Sequence, residues 1–200
     1  MIFSTARSIA GSLLIAAAAM PAAMAFETAA PAAGPMVMST NIEQADILST
    51  QRVWCQALLD ISKAYRTGGI SQAKAKAVQV LDAAYAYNYG PVAFKPTLAS
   101  GVQTFRPTKE GALAYFVGGD PRFPQDSGFA LKPWTSCTAR NQVLQTHGML
   151  GISMGNVDLT DSSGKLTTVD KTWMFIKEPD GNIRILIHHS SLPFSQPSKK

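Results

Sequence analysis

Four polar residues, His188, His189, Ser190 and Ser191, close an otherwise apolar run that begins at Ile183. If that run is a strand, its side chains alternate between faces, so His188 and Ser190 share one side while His189 and Ser191 share the other. An imidazole beside a hydroxyl at the mouth of a half-buried sheet can move a proton to or from a bound water. Two of the three histidines in the chain lie here. The plainer alternative is a strand that runs out into solvent and ends in polar residues for that reason alone.

Further hydroxyls with a defined backbone setting are few. Thr97 follows Pro96 in Phe-Lys-Pro-Thr-Leu, where a fixed backbone could aim it, and Tyr115 lies within the helical stretch Ala112 to Val117. Each has an ordinary alternative: a turn cap for Thr97, a buried ring with its hydroxyl reaching solvent for Tyr115. Tyr85, Tyr87 and Tyr89 are most simply the packed end of a helix. A catalytic zinc needs three protein ligands and an open position. His188 and His189 diverge, His147 stands alone in a turn, and no His-x-His, His-Glu-x-x-His or Cys-x-x-Cys pairing occurs. The residues therefore point to metal-free chemistry, with one histidine plus Cys, Asp or Glu as the remaining way to hold an ion. Ser190 has no Gly-x-Ser-x-Gly elbow around it, and Gly118-Gly119-Asp120 leads into Pro121 instead of a helix, so hydrolase triads and phosphate loops find no support. Asp158 and Asp170 could serve as the buried general base of an isomerase or hydrolase, although both read more simply as solvated strand residues.

Positioning these groups requires helices first and strands afterwards. Thr40 with Glu43 resembles a capping box, and Ile47, Trp54, Leu58, Ile61 and Tyr65 recur at helical spacing until Gly68-Gly69. Ser71 then caps a second helix whose Ala73, Ala77, Leu81 and Ala84 form a small-residue face ending before Gly90-Pro91. Short extended segments are expected at Val92 to Phe94 and Val102 to Phe105. Thr108 caps a short helix, Lys109 to Val117, that Gly118-Gly119 stops. Asp120 to Pro133, with its prolines and Phe123, Phe129 and Leu131, reads as an ordered rim or an ordinary surface loop. From Trp134 the pattern is all strand: Trp134 to Thr146, Gly148 to Leu159, Leu166 to Lys177 and Ile183 to Ser191, joined by hairpin signals. The result is an α+β domain in which a curved antiparallel meander wraps an amphipathic helix and leaves a cavity at its open end.

The 200 residues, 46% hydrophobic and 16% charged, suit one globular domain at 40–195. Arg7, the apolar run Ile9 to Met20 and Ala23-Met24-Ala25 form a secretory signal over 1–25 with cleavage before Phe26, followed by a flexible leader at 26–39; a disordered tail is expected at 196–200. The expected location is periplasmic or extracellular. The signal's run is short for a membrane span, and no membrane partner is expected. Without Arg7, Lys plus Arg falls from 18 to 17 against 13 acids, a mild +4 with no basic stripe, which argues against nucleic acid and leaves a small anion possible. Cys55 and Cys137 form either one disulfide or two buried thiols.

Taken together, Phe94-Lys-Pro-Thr-Leu-Ala99, Glu110-Gly-Ala-Leu-Ala-Tyr-Phe-Val-Gly-Gly-Asp120, Gly155-Asn-Val, Val169-Asp-Lys-Thr-Trp173 and His188-His-Ser-Ser-Leu-Pro193 resemble the iota-class carbonic anhydrases. These are relatives of the association domain of calmodulin-dependent protein kinases, within the nuclear transport factor 2-like folds. The resemblance runs from about Gln51 to Ser195. It implies a cone-shaped α+β barrel, a homodimer or larger assembly, and interconversion of carbon dioxide and bicarbonate. Members are described both as metal-dependent and as metal-free; the scarcity of ligands favours no cofactor here, with zinc or manganese as the alternative. Matched residue by residue, the family's pocket threonine and tyrosine fall on Thr97 and Tyr115, and its histidine and serine on His188 and Ser190. Where members often carry a first histidine, this chain has Ile187. The resemblance thus implies a water held by Thr97, Tyr115 and Ser190, His188 as its proton acceptor, and a carbon dioxide pocket lined by Phe94, Leu98 and Phe116. A non-catalytic binding or assembly module of the same fold is the rival reading.

Overall fold

A computed structural model describes residues 39–196. The expected signal at 1–25, nearly all of the leader and nearly all of the tail lie outside the described residues. The first helix, α1 (Gln44–Ala84), is continuous except at Gly69, whose left-handed φ of 68° breaks the helical path where two consecutive glycines had predicted a stop. Its N-terminal cap differs from the expected Thr40 pair. Glu43 is the cap, in a reciprocal box with Asp46 three residues on. The apolar stripe of Ile47, Trp54, Leu58 and Ile61 before the break, and of Ala73, Ala77 and Leu81 after it, is buried.

After α1 come β1 (Ala93–Lys95), the short helix α2 (Lys109–Val117), and the long strands β2 (Trp134–His147), β3 (Leu150–Asp161), β4 (Leu166–Lys177) and β5 (Ile183–Ser191). α2 has the expected boundaries, with the Thr108 hydroxyl accepting from the Gly111 N–H at 3.2 Å and Gly118 closing it at φ 63°. The expected strand at Val102 to Phe105 does not form. Gly101–Gln103 is a 3-10 turn, and both Val102 and Phe105 project into solvent, so neither gains the half-buried pleated surface that β-propensity reflects.

The five strands form one curved sheet in the order β1-β5-β4-β3-β2. β2 to β5 are an antiparallel meander, while β1 adds to the edge parallel to β5, with Phe94 opposite His188. Inner-face residues Val157, Leu159, Val169, Trp173, Phe175 and Ile185 pack against α1 and α2. The core is tied at one side by a Cys55–Cys137 disulfide between α1 and β2, the first of the two alternatives that the sequence left open. Closing a loop with a sequence separation of 82 constrains the unfolded chain by about 4.5 kcal/mol in the chain-entropy view.

A register shift opposite Met174/Phe175 places an extra residue in β5, so that Ile185 and His188, three apart, both face inward. Without that bulge the alternation that buries Ile185 would turn His188 outward. The bulge is therefore what delivers the His188–Ser190 pair to the interior.

Candidate active site

Two consecutive features of the fold assemble the site. Because β1 runs parallel to β5, both strands leave the sheet at the same end, and Thr97, just past β1, meets Ser190, near the end of β5. Their hydroxyls are 2.7 Å apart, and either oxygen can be the donor. Lys95, on the same short strand, donates from Nζ to the Ser190 carbonyl oxygen at 2.8 Å and so fixes the backbone there.

Tyr115 approaches from α2, whose capped start and glycine stop leave it no freedom to slide. Its ring packs edge-on to Phe94 (5.8 Å between centroids) and is stacked on Phe129 at 5.6 Å, so the 120–133 segment acts as a fixed wall through Phe129. A buried Arg106–Asp126 ion pair at 2.9 Å anchors the same segment. The Tyr115 oxygen faces the Thr97 side chain and the 97–98 backbone, yet completes no hydrogen bond of proper geometry. Burial pushes this phenol up to about 12, so at neutral pH it is a donor with its proton in place. Thr97 is half-buried and Ser190 buried, so the cluster meets the surface on the threonine side.

The expected hydrocarbon lining is found in part. Phe94 and Phe116 are buried and stacked at 5.8 Å, and Phe94 also lies over the His188 ring at 4.6 Å. Leu98 differs from expectation: it is 51% exposed and lies beside Tyr115 only through its backbone, because the turn after Pro96 directs the side chain outward. A concavity of about 490 Å³ between Lys74, Glu110 and Gly118–Arg122 contains none of the four predicted residues.

His188 also departs from its expected part. It is 2% exposed and neither ring nitrogen is free: Nδ1 is 2.8 Å from the Tyr85 hydroxyl and Nε2 is 2.7 Å from Lys171 Nζ. Trp54 Nε1 donates in turn to the Tyr85 oxygen at 3.1 Å. Burial first, and then the neighbouring Lys171 charge, hold the imidazole well below its usual range, so it is neutral. The ring therefore does not accept directly from a substrate water in this arrangement; it belongs to a buried chain behind the hydroxyls. Tyr85, read from sequence as simple helix-end packing, is a hydrogen-bonding member of that chain.

Lys171 was not anticipated as a functional group. The signal was nevertheless present in the alternation Val169, Lys171, Trp173, Phe175, which puts a lysine in an apolar inner row. Asp158 and Asp170, the alternative general bases, lie on the opposite face. Asp158 accepts from Arg140 at 2.6 Å and from Thr168 at 2.7 Å, and Asp170 from Asn156 at 2.9 Å. Zinc or manganese finds no matching donor set: both cysteines are in the disulfide, His188 is fully bonded, and His189 faces outward. Among the described residues no group of three or more His, Cys, Asp or Glu side chains converges.

Comparison with known proteins gives a consistent result. A family model described as metal-independent carbonic anhydrase matches residues 45–192. A protein of that name from Nostoc sp. (strain PCC 7120) is 49% identical over 160 residues, covering 80% of this chain and 78% of the relative. The crystal structure of an iota-carbonic anhydrase from a cyanobacterium, complexed with bicarbonate, superposes with a TM-score of 0.79 at 49% identity, covering 81% of this chain and 98% of that one. A nuclear transport factor 2-like superfamily protein from Salmonella enterica serovar Typhimurium is a more distant neighbour, with 12% identity, a TM-score of 0.36 and coverage of 75% and 95%.

Proposed function

The chain belongs to the metal-independent carbonic anhydrases and interconverts carbon dioxide and bicarbonate; from that premise we propose that Thr97, Tyr115 and Ser190 hold the attacking water and the bicarbonate that forms. The observation that carries this reading is the unpartnered Tyr115 hydroxyl beside a Thr97–Ser190 pair. A buried donor left without an acceptor costs about 1–3 kcal/mol, a cost relieved when an anionic oxygen arrives. The cyanobacterial relative's complex with bicarbonate supports an anion of that size in this family.

Each hydroxyl has a distinct part. In the Thr97–Ser190 pair one oxygen donates to the other, which leaves a lone pair and a proton to orient water. Tyr115, protonated at working pH, donates to the oxygen on which charge develops as the carbon–oxygen bond forms. The stacked Phe94 and Phe116 rings supply the apolar side against which carbon dioxide, which has no net dipole, rests. Lys95, anchored on the Ser190 carbonyl, adds positive potential for bicarbonate. Donors fixed before the reaction are typically worth about 3 kcal/mol each. Tyr115→Phe is therefore expected to lower carbon dioxide hydration about 100-fold with thermal stability retained. Turnover within twofold of the parent would remove Tyr115 from the mechanism.

The same reading places the protein outside the cytoplasm as a homodimer. Support comes from the Cys55–Cys137 disulfide, characteristic of oxidising compartments, and from Val143 and Met154, paired across β2 and β3 and both exposed on the outer sheet face. Intact mass and sedimentation of protein from the periplasmic or culture fraction test both points. A chain that keeps residues 1–25, or sediments as a monomer, contradicts them.

A further inference from the structure

Lys171 stands on the inner face of β4 between Val169 and Trp173 and is 5% exposed. Its Nζ lies 4.7 Å from the ring centre of Trp54, 5.3 Å from that of Trp173 and 2.7 Å from His188 Nε2. Across the strand pair its partner is Ser190, one of the three hydroxyl residues. Among the described residues it takes part in no hydrogen bond or ion pair with a carboxylate.

Of the charged and titratable groups around it, His188 is in direct contact, while Asp170 and His189 line a concavity with it on the outer side of the sheet. The end of α1 contributes Tyr85 through His188, and Lys95 of β1, bound to the Ser190 carbonyl, lies opposite His189 on the outer side. β3 presents Gly155 directly opposite, with Ser153 beside it, and α1 presents Trp54 and Gln51. His189 lies on the outer face of β5 and its charge lowers His188. An ammonium in such a setting has two indole faces and one nitrogen lone pair to replace its hydration, so burial brings Lys171 down to about 7.

Hydrogen-bond bookkeeping gives an independent indication of the neutral form. The Tyr85 oxygen accepts from Trp54 Nε1, which leaves its own proton free to donate to His188 Nδ1. His188 then carries its proton on Nε2 and donates it to a lone pair that only a neutral lysine amine possesses. Every donor of Trp54 Nε1, Tyr85 and His188 is then used. If Lys171 is an ammonium, it donates to Nε2, the ring proton moves to Nδ1, and the Tyr85 proton has no acceptor among the described residues.

Hydration of carbon dioxide releases one proton, and the hydroxyl cluster has no base to take it. Tyr115 keeps its proton, and both nitrogens of His188 are engaged. We propose that Lys171, as the neutral amine, accepts the proton released when water adds to carbon dioxide, at the end of the bonded chain Tyr85–His188–Lys171. The inference rests on the assignment of Thr97, Tyr115 and Ser190 above. The balance is simple. One O–H bond of water breaks, its oxygen forms the new bond to carbon, and bicarbonate leaves with the negative charge. The His188 Nε2 proton becomes the third N–H of Lys171, Nδ1 takes the Tyr85 proton, the proton from water replaces that one on Tyr85, and a buffer base from solvent then removes the proton from the ammonium. In dehydration the same steps run backwards, with the ammonium supplying the proton.

The test is the pH dependence of kcat/KM for hydration in the parent and in Lys171→Met, together with nitrogen NMR of the His188 ring and the Lys171 amine in the parent protein. Parent activity should rise with pH through an inflection near 7, where the His188 proton passes from Nδ1 to Nε2. Lys171→Met should lose about 100-fold in rate and lose that inflection, a change that a purely packing role would not produce. An unchanged inflection in the variant overturns the proposal, as does a Lys171 amine that stays charged in the parent up to pH 9. The NMR measurement decides the matter even if the variant does not fold. Ser190→Ala in parallel separates the two levels: loss there with an unchanged Lys171→Met profile overturns the proton acceptor alone, whereas unchanged turnover in both overturns the hydroxyl site as well.

Discussion

The two faces of β5 carry the same pair of residue types in opposite environments. On the inner face His188 and Ser190 are both buried, bonded to Lys171, Tyr85 and Thr97. On the outer face His189 is exposed and Ser191 half-buried, beside Thr172 and Asp170 of β4. Identical side chains thus acquire different chemistry from burial and the partners it brings. The inner imidazole is held neutral and hydrogen-bonded at both nitrogens, and the inner hydroxyl is paired with a second hydroxyl. A histidine-serine repeat is therefore uninformative as composition and informative as position.

The largest effect expected from breaking this contrast is on turnover. Ser190→Ala removes half of the hydroxyl pair and should cost about 100-fold in hydration, whereas Ser191→Ala, the same change one residue on, should leave turnover within about twofold. Stopped-flow assays of the two variants side by side read the difference, and equal losses would mean that the faces are not distinct.

A second effect concerns stability. Lys171 falls from 10.5 to about 7 on folding, so between those pH values the unfolded chain binds the extra proton and stability rises with pH across the window. The burial cost is full below pH 7. Its gross size at pH 7 is on the order of 4 kcal/mol, at about 1.4 kcal/mol per pH unit, and losing the bond to His188 offsets part of it. Lys171→Met should therefore be about 2 kcal/mol more stable than the parent at pH 7 in urea unfolding, with the gap closing by pH 10. A pH-independent difference would show that Lys171 remains charged in the folded protein. A variant that is more stable and less active also sharpens the comparison, since a strand serving only the core would place an apolar residue at this position.

Much of this arrangement is legible in the chain, and the reasons are local. Thr108 and Gly118 fix α2 because a side-chain cap and a left-handed residue act within one turn. The glycine pair breaks α1, and β4 and β5 keep their predicted bounds because alternation and hairpin residues are local signals. What the sequence conceals is set by contacts distant along the chain. The parallel pairing of β1 with β5, which brings Thr97 to Ser190, spans more than ninety residues (|i−j| of 93). The bulge opposite Met174/Phe175 shifts the phase of β5 without any glycine or proline to announce it. The saturation of His188 depends on Tyr85 and Lys171, each contributed by a different element, so sequence alternation assigns its face correctly and its role incompletely. Val102 and Phe105 illustrate the opposite error, since strand-forming residues do not make a strand where no neighbour offers a surface to pack on.

Fixed hydroxyls, and no metal ion, are proposed to carry the hydration of carbon dioxide. The most direct test is stopped-flow hydration by protein exhaustively treated with chelator and checked for residual metal by elemental analysis. The stripped protein should keep the full activity of the untreated protein and gain nothing from added zinc or manganese. Activity that disappears on stripping and returns with either metal would contradict the proposal.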